Sequence, residues 1–136
     1  MKNVFLILSL LIFVSTGLFA QKKNVVEVLY FKANLACCKA KSCAMLENDV
    51  KTIVEKNFTD GTVIFREIKL ADEANKELVE KYKAQSQTVI LVKKTKKGEN
   101  SLDISEDIKA YRQSQNKEEL EKSVLAKVTE IKAKKK

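Results

Sequence analysis

Short apolar runs typical of strands alternate along this sequence with longer segments whose apolar residues recur at helical spacing. The first run, residues 25–31, is β-branched and aromatic with few polar positions, so it predicts a buried central strand. The segment that follows the run has an apolar residue every three or four positions as far as Phe58, which predicts a helix. A helix that connects two such strands favours an α/β domain with parallel strand pairing.

The rest of the sequence continues this alternation and ends with two consecutive strands and a helix. The remaining predicted elements are a strand at 62–68, a helix at 74–82, strands at 88–92 and 101–104, and a helix at 117–131. A polar turn is predicted over 93–98, Asn116 is a predicted N-cap, and 105–115 fits either a short helix or a loop. The order βαβαββα predicts a four-stranded mixed sheet flanked by helices.

The first twenty residues have the composition of a secretory signal peptide. Lys2 precedes an apolar stretch at 4–14, and small residues lead to Ala20, after which the chain turns polar. We therefore predict cleavage near Ala20 and a mature domain over 21–136 with a basic C-terminal tail. Export would place this domain in the periplasm or outside the cell, and only an uncleaved segment would keep the protein at a membrane.

The composition excludes several classes of function. Histidine is absent, so Ser-His-Asp and Cys-His catalysis are not available to this chain. The formal net charge is +8, but the 26 basic residues are interspersed with 18 acidic ones along helical segments. This pattern is typical of a solvated surface rather than of nucleic-acid binding. No motif in the sequence predicts a cofactor.

Three cysteines, Cys37, Cys38 and Cys43, lie where the first strand leads into the first helix. In an exported protein they would meet an oxidising environment, in which disulfides form and persist. Lys32, Lys39 and Lys41 lie nearby in the sequence, and we expect them, together with the helix N-terminal N–H groups, to lower the pKa of the nucleophile below the ~8.5 of free cysteine. These features predict thiol–disulfide chemistry in which Cys37 or Cys38 is the nucleophile and Cys43 the resolving thiol.

The same three cysteines admit other interpretations. Three thiolates could bind a soft ion such as Cu(I), zinc or arsenite, or two of them could form a static disulfide. On a continuous helix, positions 38 and 43 would point about 140° apart. A bridge between Cys38 and Cys43 therefore predicts that residues 37–42 form a loop, and a bridge between the adjacent Cys37 and Cys38 would be strained.

Several short motifs resemble those of the thioredoxin-like superfamily. They are Leu29-Tyr30-Phe31 at a strand end, Cys43 followed by Leu46-Glu47, Tyr82 shortly before the run 87–91, and the closing helix. More specifically, the chain resembles exported ArsF-type proteins, which are labelled nitroreductase subunits.

This resemblance implies a thioredoxin-like fold and an oxidoreductase that acts on protein thiols or disulfides. The chain has no Cys-x-x-Cys, and it has Gln87 nearest the position where thioredoxins place a proline. A non-catalytic thioredoxin-fold interaction protein is therefore the further alternative.

Overall fold

The computed structural model describes residues 24–34 and 38–134, and for residues 38–40 it describes the backbone alone. The predicted signal peptide at 1–20 and Cys37 lie outside this part of the chain. None of the helices in the described ranges combines the length and the apolar character that a membrane crossing requires.

The protein is an α/β domain with a four-stranded mixed sheet and helices, as the sequence predicts. Its elements are β1 (Val26–Lys32), α1 (Cys38–Asn57), β2 (Val63–Lys69), a 3₁₀ turn (Glu73–Asn75), α2 (Lys76–Tyr82), β3 (Val89–Thr95), β4 (Gly98–Asp103), α3 (Ser105–Ser114) and α4 (Lys117–Ala133). The strand order is β2-β1-β3-β4. Strand β2 is parallel to β1, whereas β3 is antiparallel to β1 and β4 is antiparallel to β3.

Both faces of β1 are buried, which explains its nearly continuous apolar sequence. Val28 and Tyr30 pack into a larger core with side chains of α1, α3 and α4, while Leu29 and Phe31 pack on the opposite face against α2. The sheet is therefore covered by three helices on one face and by one on the other. Strand β1 ends between these two layers, and α1 begins shortly after it.

The polar turn predicted over 93–98 is wrong, because both strands of the hairpin extend into it and leave two residues between them. Lys93 belongs to β3 and is only 8% exposed. Its ammonium group donates hydrogen bonds to the carbonyl oxygens of Lys132 and Lys134 at the end of α4. These otherwise unpaired carbonyls allow a lysine to be buried inside a strand.

The ambiguous stretch 105–115 is resolved as a helix. Ile108 and Tyr111 of α3 are buried in the larger core, and the helix ends at Ser114, followed by its C-cap Gln115, which has a left-handed φ of 56°. The predicted N-cap of the last helix is confirmed, because the Asn116 side-chain oxygen accepts two backbone N–H groups of the first turn of α4.

Candidate functional site

The candidate site lies where the cysteine-containing stretch enters α1. The helix begins at Cys38, and Cys43 lies in its second turn with its side chain partly exposed. Cys43 is a free thiol, while Cys37 and the side chain of Cys38 lie outside the described part of the chain. Cys43 is therefore the cysteine whose contacts define the site in the described residues.

The loop that a Cys38–Cys43 bridge requires is not present, because residues 38–42 are already helical. Five residues along a helix correspond to a rise of about 7.5 Å and a rotation of about 140° between the two positions. Disulfides usually join Cα atoms no more than about 6.8 Å apart. A bridge between these two cysteines therefore needs the first turn of α1 to unwind.

Gln87 is the side chain that contacts the Cys43 thiol, and its Nε2 donates a hydrogen bond to Sγ at 2.8 Å. Gln87 lies just before β3 and has a left-handed φ of 69°, which is uncommon outside glycine and often occurs at functional sites. The Gln87 backbone N–H donates to the Phe31 carbonyl oxygen at 2.8 Å, and the Phe31 N–H donates to the Thr88 carbonyl oxygen at 2.9 Å. These two hydrogen bonds connect the loop before β3 to the end of β1.

Tyr30 of β1 contacts α1 through its hydroxyl, which donates a hydrogen bond to the Cys43 carbonyl oxygen at 3.4 Å. Burial raises the pKa of Tyr30 well above its usual value, and negative charge on Cys43 and Glu47 raises it further. The positive charge of Arg112 acts in the opposite direction. The Tyr30 hydroxyl therefore stays protonated and remains a hydrogen-bond donor at neutral pH.

Glu47 lies one helical turn beyond Cys43 and forms a cluster with a lysine of β1 and a second carboxyl group of β2. Lys32 Nζ is 2.7 Å from Glu47 Oε2 and 3.6 Å from Glu67 Oε2. Burial raises the pKa of Glu47, and the neighbouring Glu67 raises it further against the opposing effect of Lys32. The hydrogen bond with Glu47 lowers the pKa of Glu67. The pair therefore retains a proton on Glu47 over a wider pH range than an isolated glutamate would.

The lysines expected to activate a thiol have different surroundings. Lys32 is paired with both carboxylates, and the hydrogen bond with Glu47 raises its pKa. Lys41 is exposed on α1, whereas the side chain of Lys39 is not described. The positive charge of Lys32 is thus largely compensated by Glu47 and Glu67.

Sequence reasoning found part of this constellation and missed the rest. The sequence predicts Cys43 as a site residue, and Glu47 belongs to the family resemblance. Gln87 is only the residue nearest the position of the missing proline, and no sequence pattern indicates Glu67. The parallel register of β1 and β2 places Glu67 opposite Tyr30, and no local sequence pattern carries that information.

A pocket of about 230 Å³ opens beside Gln87, between the loop at 83–88 and α3. Gln87 therefore belongs both to the wall of this pocket and to the surroundings of Cys43. The pocket has no local sequence signal, because its two walls, at 83–88 and 103–112, are separated along the chain.

The proposed binding of a soft metal ion stays a prediction. Within 24–34 and 38–134, no group of three or more histidine, cysteine, aspartate or glutamate side chains is arranged to hold a metal ion. The predicted trigonal site depends on Cys37 and on the Cys38 side chain, which are outside those residues.

Comparison with known proteins gives little beyond this description. No protein-family profile matches the chain, and no curated protein is significantly similar to it. A solved structure described as "Structure of a malarial protein" is 25% identical, and the match covers 67% of this chain and 97% of that one. Its TM-score of 0.41 is too low to establish a shared fold.

Proposed function

We propose that this protein is an exported thioredoxin-like oxidoreductase in which Cys37, Cys38 and Cys43 carry out thiol–disulfide exchange with protein thiols or disulfides. The observation that carries the proposal is the hydrogen bond from Gln87 to the Cys43 thiol. It joins a thiol of α1 to the loop before β3, at the end of the central strand.

The arrangement of the sheet supports the thioredoxin-like part of the proposal. The order β2-β1-β3-β4, with one parallel and two antiparallel pairs, is the order expected of a thioredoxin-like core. Helix α1 connects the central strand β1 to the edge strand β2, and the Cys43 carbonyl oxygen accepts a hydrogen bond from Tyr30 of β1. The motifs shared with ArsF-type proteins favour the same assignment.

The proposed reaction exchanges one disulfide for another. A thiolate of Cys37 or Cys38 attacks a substrate disulfide, forms a mixed disulfide, and releases the other substrate sulfur as a thiolate that takes up a proton. The Cys43 thiolate then attacks the Cys37 or Cys38 sulfur of the mixed disulfide. This attack forms the disulfide within the oxidoreductase and releases the second substrate sulfur as a thiol. Two electrons pass from two protein thiols to the substrate, and the reverse sequence oxidises a substrate dithiol.

The second step places a structural demand on α1. If Cys38 is the nucleophile, closing its bridge to Cys43 requires residues 38–42 to leave the helix. If Cys37 is the nucleophile, the attack begins from a residue that precedes the described helix. Hydrogen exchange reports this unwinding, because it would free the amides of residues 42–45, which bond to the carbonyl oxygens of the first turn of α1.

The test is a free-thiol count on the mature protein across a glutathione redox titration, with mass spectrometry to assign the cysteines. We expect a reversible loss of two thiols at a potential between roughly −120 and −270 mV. Cys43→Ser should accumulate a mixed disulfide with glutathione, because the resolving thiol is missing. Ser42→Ala is the matched control, since it changes an exposed neighbour on the same helix, and it should titrate like the unchanged protein.

Three other outcomes would contradict the proposal. A disulfide whose reduction potential lies below about −300 mV would indicate a static bridge. Three thiols that stay reduced while a soft metal co-purifies would indicate metal binding. Three thiols that neither oxidise nor bind metal would indicate a non-catalytic interaction protein.

A further inference from the structure

The pocket beside Gln87 has an excess of positive charge that the fold does not compensate. Five of its lining residues are charged: Lys83, Asp103, Glu106, Lys109 and Arg112. Asp103 accepts a hydrogen bond from the Ser105 backbone N–H at 2.8 Å, and Glu106 forms an ion pair with Lys109. The two carboxylates are therefore already engaged within the protein.

Lys83 and Arg112 are the two remaining cations of the pocket. Neither forms an ion pair with a carboxylate anywhere in residues 24–34 and 38–134. The residues outside those ranges contain no aspartate or glutamate side chain. Asp103 is the acidic lining residue without an ion pair in the described residues, so it offsets one of these two positive charges and the pocket keeps a net charge of about +1.

The pocket adjoins the candidate site on the Cys43 side. Gln87 lines the pocket and donates to the Cys43 thiol at 2.8 Å. The charge of Arg112 acts on the Tyr30 hydroxyl, which itself contacts the Cys43 carbonyl oxygen. A group bound between Lys83 and Arg112 would therefore be held next to a disulfide that approaches Cys43.

We propose that this pocket binds a carboxylate of the substrate and thereby selects disulfides that carry an acidic group beside the reacting sulfur. The inference rests on the proposed thiol–disulfide exchange. A volume of about 230 Å³ is smaller than typical sites for drug-sized ligands and accommodates one side chain. The planar guanidinium of Arg112 is suited to a carboxylate, because it can donate two parallel hydrogen bonds.

The binding step is tested separately from the exchange step. Two blocked peptides, acetyl-Gly-Cys-Glu-amide and acetyl-Gly-Cys-Gln-amide, each carry a methyl disulfide on cysteine, so that they differ by one carboxylate. Their dissociation constants are measured by NMR titration on protein in which Cys37→Ser, Cys38→Ser and Cys43→Ser prevent exchange. We expect the glutamate peptide to bind about two- to fivefold more tightly, as exposed ion pairs allow.

The chain offers a matched control, because it contains two arginines. Arg112→Gln should abolish the preference for the glutamate peptide, while Arg66→Gln, which makes the same charge change at an ion pair with Glu27, should preserve it. Equal binding of both peptides, or an equal effect of the two substitutions, would overturn the proposal. The second result would mean that the overall positive charge attracts the peptide.

Exchange rates on the protein with its cysteines intact separate failure of this proposal from failure of the proposed function. Exchange with both peptides at equal rates would refute the carboxylate site and leave the proposed function intact. A binding preference with no exchange would overturn the substrate assignment together with the proposed function. Glutathione disulfide forms a further arm, and tighter binding of it than of the glutamate peptide would identify a small thiol disulfide as the carboxylate source.

Discussion

Replacing Tyr111 with phenylalanine removes one hydroxyl from a contact that joins three helices. The Tyr111 hydroxyl of α3 donates to Asp49 Oδ2 of α1 at 2.7 Å, and Lys117 Nζ of α4 lies 2.8 Å from Asp49 Oδ1. The side chain of Asp49 is 12% exposed, whereas that of Lys117 is 69% exposed. The carboxylate therefore depends mainly on Tyr111 for a buried partner.

The expected cost of Tyr111→Phe follows from this geometry. A hydrogen bond to a charged group contributes roughly 1.5–3 kcal/mol to the free energy of unfolding. The phenylalanine ring still fills the core and Lys117 still pairs with Asp49, so we expect a loss of about 1–2 kcal/mol and a fall in Tm of roughly 4 to 10 °C. Lys117→Met removes only the exposed ion pair and should cost no more than about 0.5 kcal/mol.

Urea unfolding followed by circular dichroism measures both losses, and a double-mutant cycle with Asp49→Asn isolates the Tyr111 contact. Burial and the hydrogen bond to Asp49 raise the pKa of Tyr111 to about 12, from about 10 in the unfolded chain. Because the folded pKa is the higher one, this contribution to stability is complete below pH 10 and is lost as the pH rises through 12.

The difference between the unchanged protein and Tyr111→Phe should therefore shrink over that range. A loss below about 0.5 kcal/mol at neutral pH, or no coupling between Tyr111→Phe and Asp49→Asn, would refute the reasoning.

Three further predictions concern other parts of the structure. Lys93→Met should lower the free energy of unfolding by roughly 1–3 kcal/mol in urea, because it leaves the last carbonyls of α4 without a donor. Asn116→Ala should cost about 1 kcal/mol, read in the same assay, since it removes the N-cap of α4, and an unchanged midpoint would contradict this role. Glu47→Gln removes a carboxyl whose folded pKa is raised above the usual value of about 4.3. The extra stability from that proton is present below pH 4.3 and is lost as the pH rises through the folded pKa, so the unchanged protein should weaken relative to Glu47→Gln across that window. Parallel pH profiles would contradict this prediction, and Glu55→Gln, at an exposed residue of the same helix, is the control.

The order of elements was predictable because it depends on local patterns. Burial on both faces leaves a continuous apolar run at β1, and one buried face leaves helical spacing in α1 and α4. The cap at Asn116 was predictable for the same reason, since a cap is formed within three residues. The hairpin is predicted with strands that are too short, because a lysine at position 93 favours a turn by local pattern. Its burial in β3 depends on the carbonyl oxygens at the end of α4, which no local pattern indicates.

The candidate site was predictable only where it lies on one stretch of chain. Cys43 and Glu47 lie one helical turn apart, so their proximity follows from helical spacing once α1 is recognised. Gln87 and Glu67 reach the same place from other elements, Gln87 through the loop before β3 and Glu67 through its register opposite β1. Neither position has a local signal, because strand pairing over long sequence separations brings them there.

The sequence by itself thus determined the class of fold, most of the helices and strands, and the position of Cys43 near the start of α1. Tertiary structure alone decided that the Cys43 thiol contacts Gln87, that Glu47 lies close to Lys32 and Glu67, and that Gln87 also lines a pocket. The physical reason is the range of the interactions. Periodicity and capping act over a few residues, whereas the neighbours of a thiol are set by which strands pair and in which register.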